Sequence, residues 1–198
     1  MTAPRKSLAR RVQELEDREA IYDLAKDYCN AVDDRDAEKY GDLMTKDVVL
    51  VQFGGTNLRV GRAVAQSWMA WRFTQWGVTR HYPLSHVVTL TGLDQAVGVV
   101  NGWAEMAMDG KMYVTSVRYD DVYVREEGSW RFARRHMAYY YYAALTDLPA
   151  IYDSPYRKMF RDADDRAVLR RGDFPEGLAT YAQTTTRPVP EVNSTAPK

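Results

Sequence analysis

An α+β fold, with helices gathered ahead of an antiparallel meander, is predicted by three features of the sequence. Ile21, Leu24, Ala25, Tyr28, Ala31 and Val32 recur at spacings of three and four, the mark of one buried stripe on a helix. Four long strand patterns then follow one another through residues 80–142. Their connections carry turn chemistry each time: Gly92 with Asp94, Asp109-Gly110, and Glu127-Gly128. Asp-Gly between two strand patterns is a strong hairpin signal. Helices segregated from strands in this order argue against a doubly wound α/β sheet.

Each element has its own warrant. The first helix is expected over residues 8–32, loose before about Val12. Asp36 reads as the N-cap of a second helix over 37–44, with Glu38 in its favourable first turn. The β-branched run VVLVQF, 48–53, is a buried strand that Gly54-Gly55 turns back into 57–60. Gly61 opens a helix over 62–76, with Val64, Trp68, Trp71, Phe73 and Trp76 among its apolar residues. Gly77 is placed to end it in a left-handed C′ conformation. The meander strands are expected at 80–90, 95–108, 111–125 and 129–142.

Beyond residue 145 the character changes. Ser154-Pro155 reads as a helix start, with Tyr156, Met159 and Phe160 as a short apolar stripe ahead of a charged run that ends at Gly172. Such a segment is either a lid or a strap onto a second subunit. From Thr184 the Pro, Thr and Ser content is that of a disordered tail. The expected division is a domain over 8–145, a helical extension over 146–183 and a tail over 184–198.

Composition narrows the function. With 45% hydrophobic residues, 14 Tyr and 5 Trp among 198, the chain can fill a sizeable core. Twenty-seven Lys and Arg balance 27 Asp and Glu, which speaks against a nucleic-acid binder with its concentrated basic surface. One cysteine, Cys29, excludes an internal disulfide framework and a multi-cysteine metal site, and its place on the helix reads as core. No apolar run reaches the roughly 18 to 20 residues that span a bilayer. The N-terminus lacks the apolar centre of a secretory signal. The expectation is a cytoplasmic protein with no membrane or nucleic-acid partner.

Asp33 stands out on physical grounds. It closes the buried stripe at a helix C-terminus, where the macrodipole disfavours a carboxylate. Stability alone would not place it there. His81, His86 and His136 are the three imidazoles. His81 and His86, five apart on one strand, face opposite ways unless a bulge intervenes, and Pro83 between them marks a bulge or an edge. No HxH or HExxH spacing suggests a metal, and no GxGxxG, GxxxxGK or GxSxG suggests a nucleotide or a hydrolase elbow. An Asp–His pair in an aromatic pocket, working without cofactor or metal, is what remains. A carboxylate holds such a ring in one tautomer, and the other nitrogen can take a proton. Both residues also have ordinary structural readings, a solvated helix end and a satisfied core histidine.

The run REAIYDLAKDYCNAVDDRDAEKYGDLMTKDVVL, with TRHYPLSHVVTLTG and GSWRFARR, resembles the SnoaL-like proteins of the NTF2-like superfamily over about residues 10–143. That resemblance implies a cone: a curved antiparallel sheet wrapped around N-terminal helices, enclosing a deep pocket. It is similar in detail to the cofactorless lyases of the family, scytalone dehydratase, hexachlorocyclohexane dehydrochlorinase and bile-acid 7α-dehydratase. Their catalytic Asp and His fall on Asp33 and His81, and a Tyr five residues before the Asp falls on Tyr28. An Arg five residues after the strand Trp falls on Arg135. His86, Asn101 and Tyr139 are stand-ins for further polar groups of scytalone dehydratase, and Trp103 belongs to the aromatic supply. On the last strand Trp130, Phe132, Arg134 and His136 share one face, and Arg135, Met137 and Tyr139 the other; which faces the pocket stays open.

The resemblance implies a lyase of the dehydratase or HX-eliminating type, acting on a hydrophobic aromatic or polycyclic small molecule. Asp33, His81 and Tyr28 would be catalytic, and Arg135, His86, Asn101, Trp103 and Tyr139 would bind substrate. Carbon–carbon cleavage, such as deformylation, or isomerisation or cyclisation could use the same dyad. A non-catalytic module that binds a small molecule or dimerises is the alternative of another class. A homo-oligomer, dimer or trimer, is expected either way.

Overall fold

A computed structural model describes residues 6–52, 57–154, 156–161 and 167–173. Helix α1, Leu8–Asp33, starts at Ser7, whose hydroxyl accepts from the Arg10 N–H, and it buries the expected stripe from Ile21 to Val32. Full burial of each large apolar side chain is worth about 1.5–3 kcal/mol relative to exposure. Helix α2 is Ala37–Asp42, capped by Asp36, whose carboxylate accepts from the Lys39 N–H. It is shorter than expected because Met44, fully buried, opens strand β1, Met44–Gln52. Strand β2, Asn57–Val60, pairs back on β1. Helix α3 spans Arg62–Gln75. The meander strands are β3, Thr79–Leu90; β4, Gln95–Met108; β5, Lys111–Glu126; and β6, Ser129–Ala144. A short helix α4, Leu148–Ile151, and strands β7, Tyr156–Arg161, and β8, Ala167–Arg171, follow.

The hairpin turns behave as their residues demand. Asp109 and Gly110 have φ of 52° and 71°, and Glu127 and Gly128 of 52° and 81°. Two consecutive left-handed residues form the tight turn that matches the twist of the flanking strands. Gly77 departs from expectation. It is not left-handed; its N–H donates to the Ala107 carbonyl, and an added Cβ would sit 3.0 Å from that of Ala107. Close approach, not conformation, calls for glycine there.

The sheet runs in the order β2-β1-β6-β5-β4-β3, curved and unclosed. Two findings correct the sequence reading. The sheet is mixed, because β1 lies parallel to β6. The C-terminal segment expected to be helical instead forms the β7–β8 hairpin, with β7 parallel to β6 at Tyr142 and Lys158. The reason is geometric: among the described residues β6 runs 16 and β1 only 9, and β1 pairs with β6 no further than Met137, which leaves the later part of that edge to β7. An open ladder edge is a template for another strand. Asp173 pins the return, donating its N–H to the Tyr139 carbonyl at 2.7 Å and pairing with the buried ammonium of Lys158. The Gly54-Gly55 turn, part of the charged run and the expected tail over 184–198 lie outside the described residues. Among the described residues, no helix is long and apolar enough to cross a membrane.

Within the four-strand meander, register skips one residue at three places: Leu84 in β3, and Ala133 and Tyr140 in β6. Each bulge bends its strand and moves every later side chain to the opposite face. Their result is an inner face that carries Thr79, His81, Pro83, His86 and Val88 of β3, and Phe132, Arg135, Met137 and Tyr139 of β6. Gly98 of β4 lies between the two parts of this face. A methyl there would meet the Val87 carbonyl at 2.9 Å, Tyr123 at 3.0 Å and His86 at 3.3 Å. Gly98→Ala should therefore cost about 1–3 kcal/mol in urea unfolding, the usual penalty of overpacking. An unchanged unfolding midpoint would show that the sheet gives way there.

Candidate active site

Asp33 is the last residue of α1, and its carboxylate takes hold of β3 twice. Oδ1 accepts from the His81 ring at Nδ1, 2.7 Å away, and Oδ2 accepts from the His81 backbone N–H at 2.8 Å. A carboxylate can only accept, so Nδ1 carries the proton and Nε2 is left as the basic nitrogen. Burial alone would raise the Asp33 carboxyl, but the two His81 hydrogen bonds and the nearby ring hold it below the ordinary carboxylate range. Both side chains are about nine-tenths buried. Arg35, two residues on, fixes the neighbourhood. It adopts φ of 63°, donates to the carbonyls of Trp76 and Gly77, and lays its guanidinium over Phe73 at 5.3 Å. The end of α1 is thereby clamped to the start of β3.

His81 lines a cleft together with Tyr28 and Cys29 of α1, Val100 and Gly102 of β4, Tyr119 of β5 and Arg135 of β6. The space open to a water-sized sphere is about 10 Å³. That is room for about one water. Burial pushes the Cys29 thiol up to about 11, so it stays protonated at neutral pH.

Arg135 is 1% exposed and ringed by aromatic faces, with its guanidinium carbon 4.2 Å from the Tyr28 ring and 4.1 Å from those of Tyr119 and Phe132. Asp121 accepts from its Nε and Nη2, both at 2.9 Å. Burial opposes the charge, but the Asp121 carboxylate more than offsets it and holds Arg135 well above the ordinary arginine range. The third nitrogen, Nη1, is buried and has no hydrogen-bond partner.

The predicted residues thus separate. His81, Tyr28 and Arg135 line the cleft, and Asp33 is joined to it through the His81 ring. Trp103 lines it too, with Tyr82; its ring packs on Tyr141 at 5.8 Å and its N–H donates to Glu105. His86 shares the inner face with His81 because Leu84 is skipped, yet it does not line the cleft; it meets the Tyr123 hydroxyl at 3.0 Å. Asn101 is not brought in: it is exposed on the other face of β4 and donates to Ser85. Tyr139 faces inward but packs on Tyr142 and meets Gln52, away from the cleft. Asp121, Tyr119 and Tyr123 were missed by sequence reasoning. The signal for Asp121 was a carboxylate on the aromatic face of a strand. Counting back from the Glu127-Gly128 turn, however, sets Arg134 opposite it, and only the skipped Ala133 makes the partner Arg135. Among the described residues, no three His, Cys, Asp or Glu side chains gather as a metal site.

The comparisons agree with this architecture. The SnoaL-like domain profile matches residues 13–136. No curated protein matches the sequence. A solved hexachlorocyclohexane dehydrochlorinase superposes with a TM-score of 0.63 at 20% identity, over 68% of this chain and 93% of that one. A candidate scytalone dehydratase from Novosphingobium aromaticivorans gives 0.65 at 17% identity, over 84% and 97%. A candidate aromatic ring hydroxylase from the same organism gives 0.62 at 28% identity, over 67% and 96%.

Because the Asp33 carboxyl is held low, its contribution to stability is present above the unfolded value of about 4 and is lost as pH falls through the lower folded value. The stability gap between wild type and Asp33→Asn should be open in urea unfolding at about pH 7 and should narrow at about pH 3. A gap that does not change with pH would mean that the carboxylate charge contributes nothing to the pair.

Proposed function

We propose, from the premise that this chain belongs to the SnoaL-like domain family, that it is a cofactor-independent lyase in which His81, oriented by Asp33, is the general base. The single observation that supports this most is the Asp33–His81 geometry: Nδ1 bonded at 2.7 Å, Nε2 left basic, and the ring set in an aromatic, largely water-excluding cleft. Nε2 takes a proton from a carbon of a hydrophobic, ring-bearing substrate. The C–H electron pair becomes the new C=C bond, and the leaving group departs from the adjacent carbon with its own pair. The proton on Nε2 then leaves with it, as water or HX. Tyr28, at the cleft wall, donates a hydrogen bond to the leaving group or a carbonyl. Arg135 offers Nη1 to developing negative charge, in a site dry enough for such a contact to count.

A positioned general base contributes about 10²- to 10⁴-fold. His81→Ala and Asp33→Asn should each lose roughly that much in kcat on a substrate found by screening ring-bearing alcohols and halides, with product mass showing loss of water or HX. Wild-type turnover by either variant would end the proposal.

The smallness of the cleft favours a second reading, in which Asp33 and His81 are a buried strut that fastens β3 to α1 and the domain is a non-catalytic module. Asp33→Asn would then lower Tm, and no compound in the screen would be turned over by wild type.

A further inference from the structure

Behind the cleft lies a chain of polar groups that the elimination does not use. Tyr123 donates its hydroxyl proton to Asp121 Oδ2 at 2.9 Å, and its oxygen sits 3.0 Å from His86 Nε2. The tyrosine has one proton to give, so His86 must be the donor to it. Burial pushes the His86 ring down, which keeps it neutral, and Tyr22 closes its other side edge-on at 5.0 Å. Gly98 supplies the space in which His86 and Tyr123 meet. The chain thus passes from β3 through β5 to β6 and ends on Arg135.

Its effect on Arg135 is specific. Asp121 occupies two of the three guanidinium nitrogens and cancels the charge, and both side chains are at most 1% exposed. Arg135 lines the cleft, and what it has left to offer is one buried nitrogen, Nη1, with unpartnered N–H donors and no net positive charge behind it. A ligand carboxylate there would be a buried charge without a counter-ion, with Asp33 as a second carboxylate on the far side of His81. Burying an uncompensated charge is costly. A neutral oxygen acceptor meets the open donors at no such cost.

We infer that His86, Tyr123 and Asp121 are positioning residues that aim and neutralise Arg135, so that the cleft selects a neutral molecule with a carbonyl or hydroxyl oxygen over a carboxylate of the same size. This rests on reading the cleft as a substrate site, but it is tested by binding and not by turnover. The probes are cyclohexanone and cyclohexanecarboxylate, and the readout is the NMR signal of the Arg135 Nε–Hε group. In wild type the ketone moves that signal and binds at least about tenfold more tightly than the carboxylate. In Asp121→Asn, where the arginine is a net cation, the preference reverses. Tyr123→Phe removes one hydroxyl and keeps the ring; it shifts the Arg135 signal and narrows the preference, and it decides the matter alone if Asp121→Asn does not fold. A purely structural Tyr123 would lower Tm and leave the preference between the probes untouched. Equal binding of the two probes, tighter binding of the carboxylate, a ketone that leaves the Arg135 signal unmoved, or a Tyr123→Phe variant identical to wild type would each overturn the inference. The readout is binding, so a wild type that keeps the ketone preference but turns over no compound would end the lyase reading and leave this one standing.

Discussion

A guanidinium almost wholly removed from water sits at the centre of this protein, and much of the interior is arranged to tolerate it. Arg135 draws one aromatic face from α1, one from β5 and one from its own strand, and it takes both oxygens of Asp121. A buried ion pair earns little net stability, but breaking one by removing a partner typically costs about 3–5 kcal/mol. The pair is therefore better understood as a device for specificity than as a source of stability. It gathers aromatic rings of α1, β5 and β6 around one side chain, and it leaves one buried donor, Nη1, without a partner on a residue that lines the cleft.

The Asp33–His81 contact is built in a contrasting way. It lies at the junction of a helix end and an edge strand, where one carboxylate binds a ring and a backbone N–H of the same residue. Locally the placement is unfavourable, since α1 presents its negative end there. The compensation comes from β3, which arrives 48 residues later and supplies two donors. Arg35 and the carbonyls of Trp76 and Gly77 hold the two segments together from the other side. His81 and Arg135 line the same cleft from separate supports, so the Asp33–His81 pair and the arginine can be perturbed independently.

Much of the fold was legible because it is locally encoded. The stripe from Ile21 to Val32 is one helix face, Asp36 caps α2, and the dipeptides at 109–110 and 127–128 adopt the left-handed conformations their turns require. Asp33 was legible as a candidate too, since an Asp at a helix C-terminus is out of place on its own account; His81 as its partner came from the family resemblance. The C-terminal hairpin was not. Tyr156, Met159 and Phe160 have helical spacing, but the open edge of β6 offers hydrogen bonds that this spacing does not report. The parallel placement of β1 on β6 was equally hidden, because it depends on a partner more than 80 residues away.

The sequence by itself determined the order of the elements, the apolar face of α1, the turns of the meander and the residues able to move a proton. Tertiary structure decided which of those residues meet. Side chains on a strand alternate with period two, so one skipped residue reverses everything after it. Leu84 brings His86 to the same face as His81, Ala133 sets Arg135 against Asp121, and Tyr140 carries Tyr142 inward. Pro83 marks the skip at Leu84, but nothing local to Ala133 or Tyr140 announces theirs; they arise because a sheet that curves around a helix must bend somewhere, and the bend chooses the side chains that face the cleft.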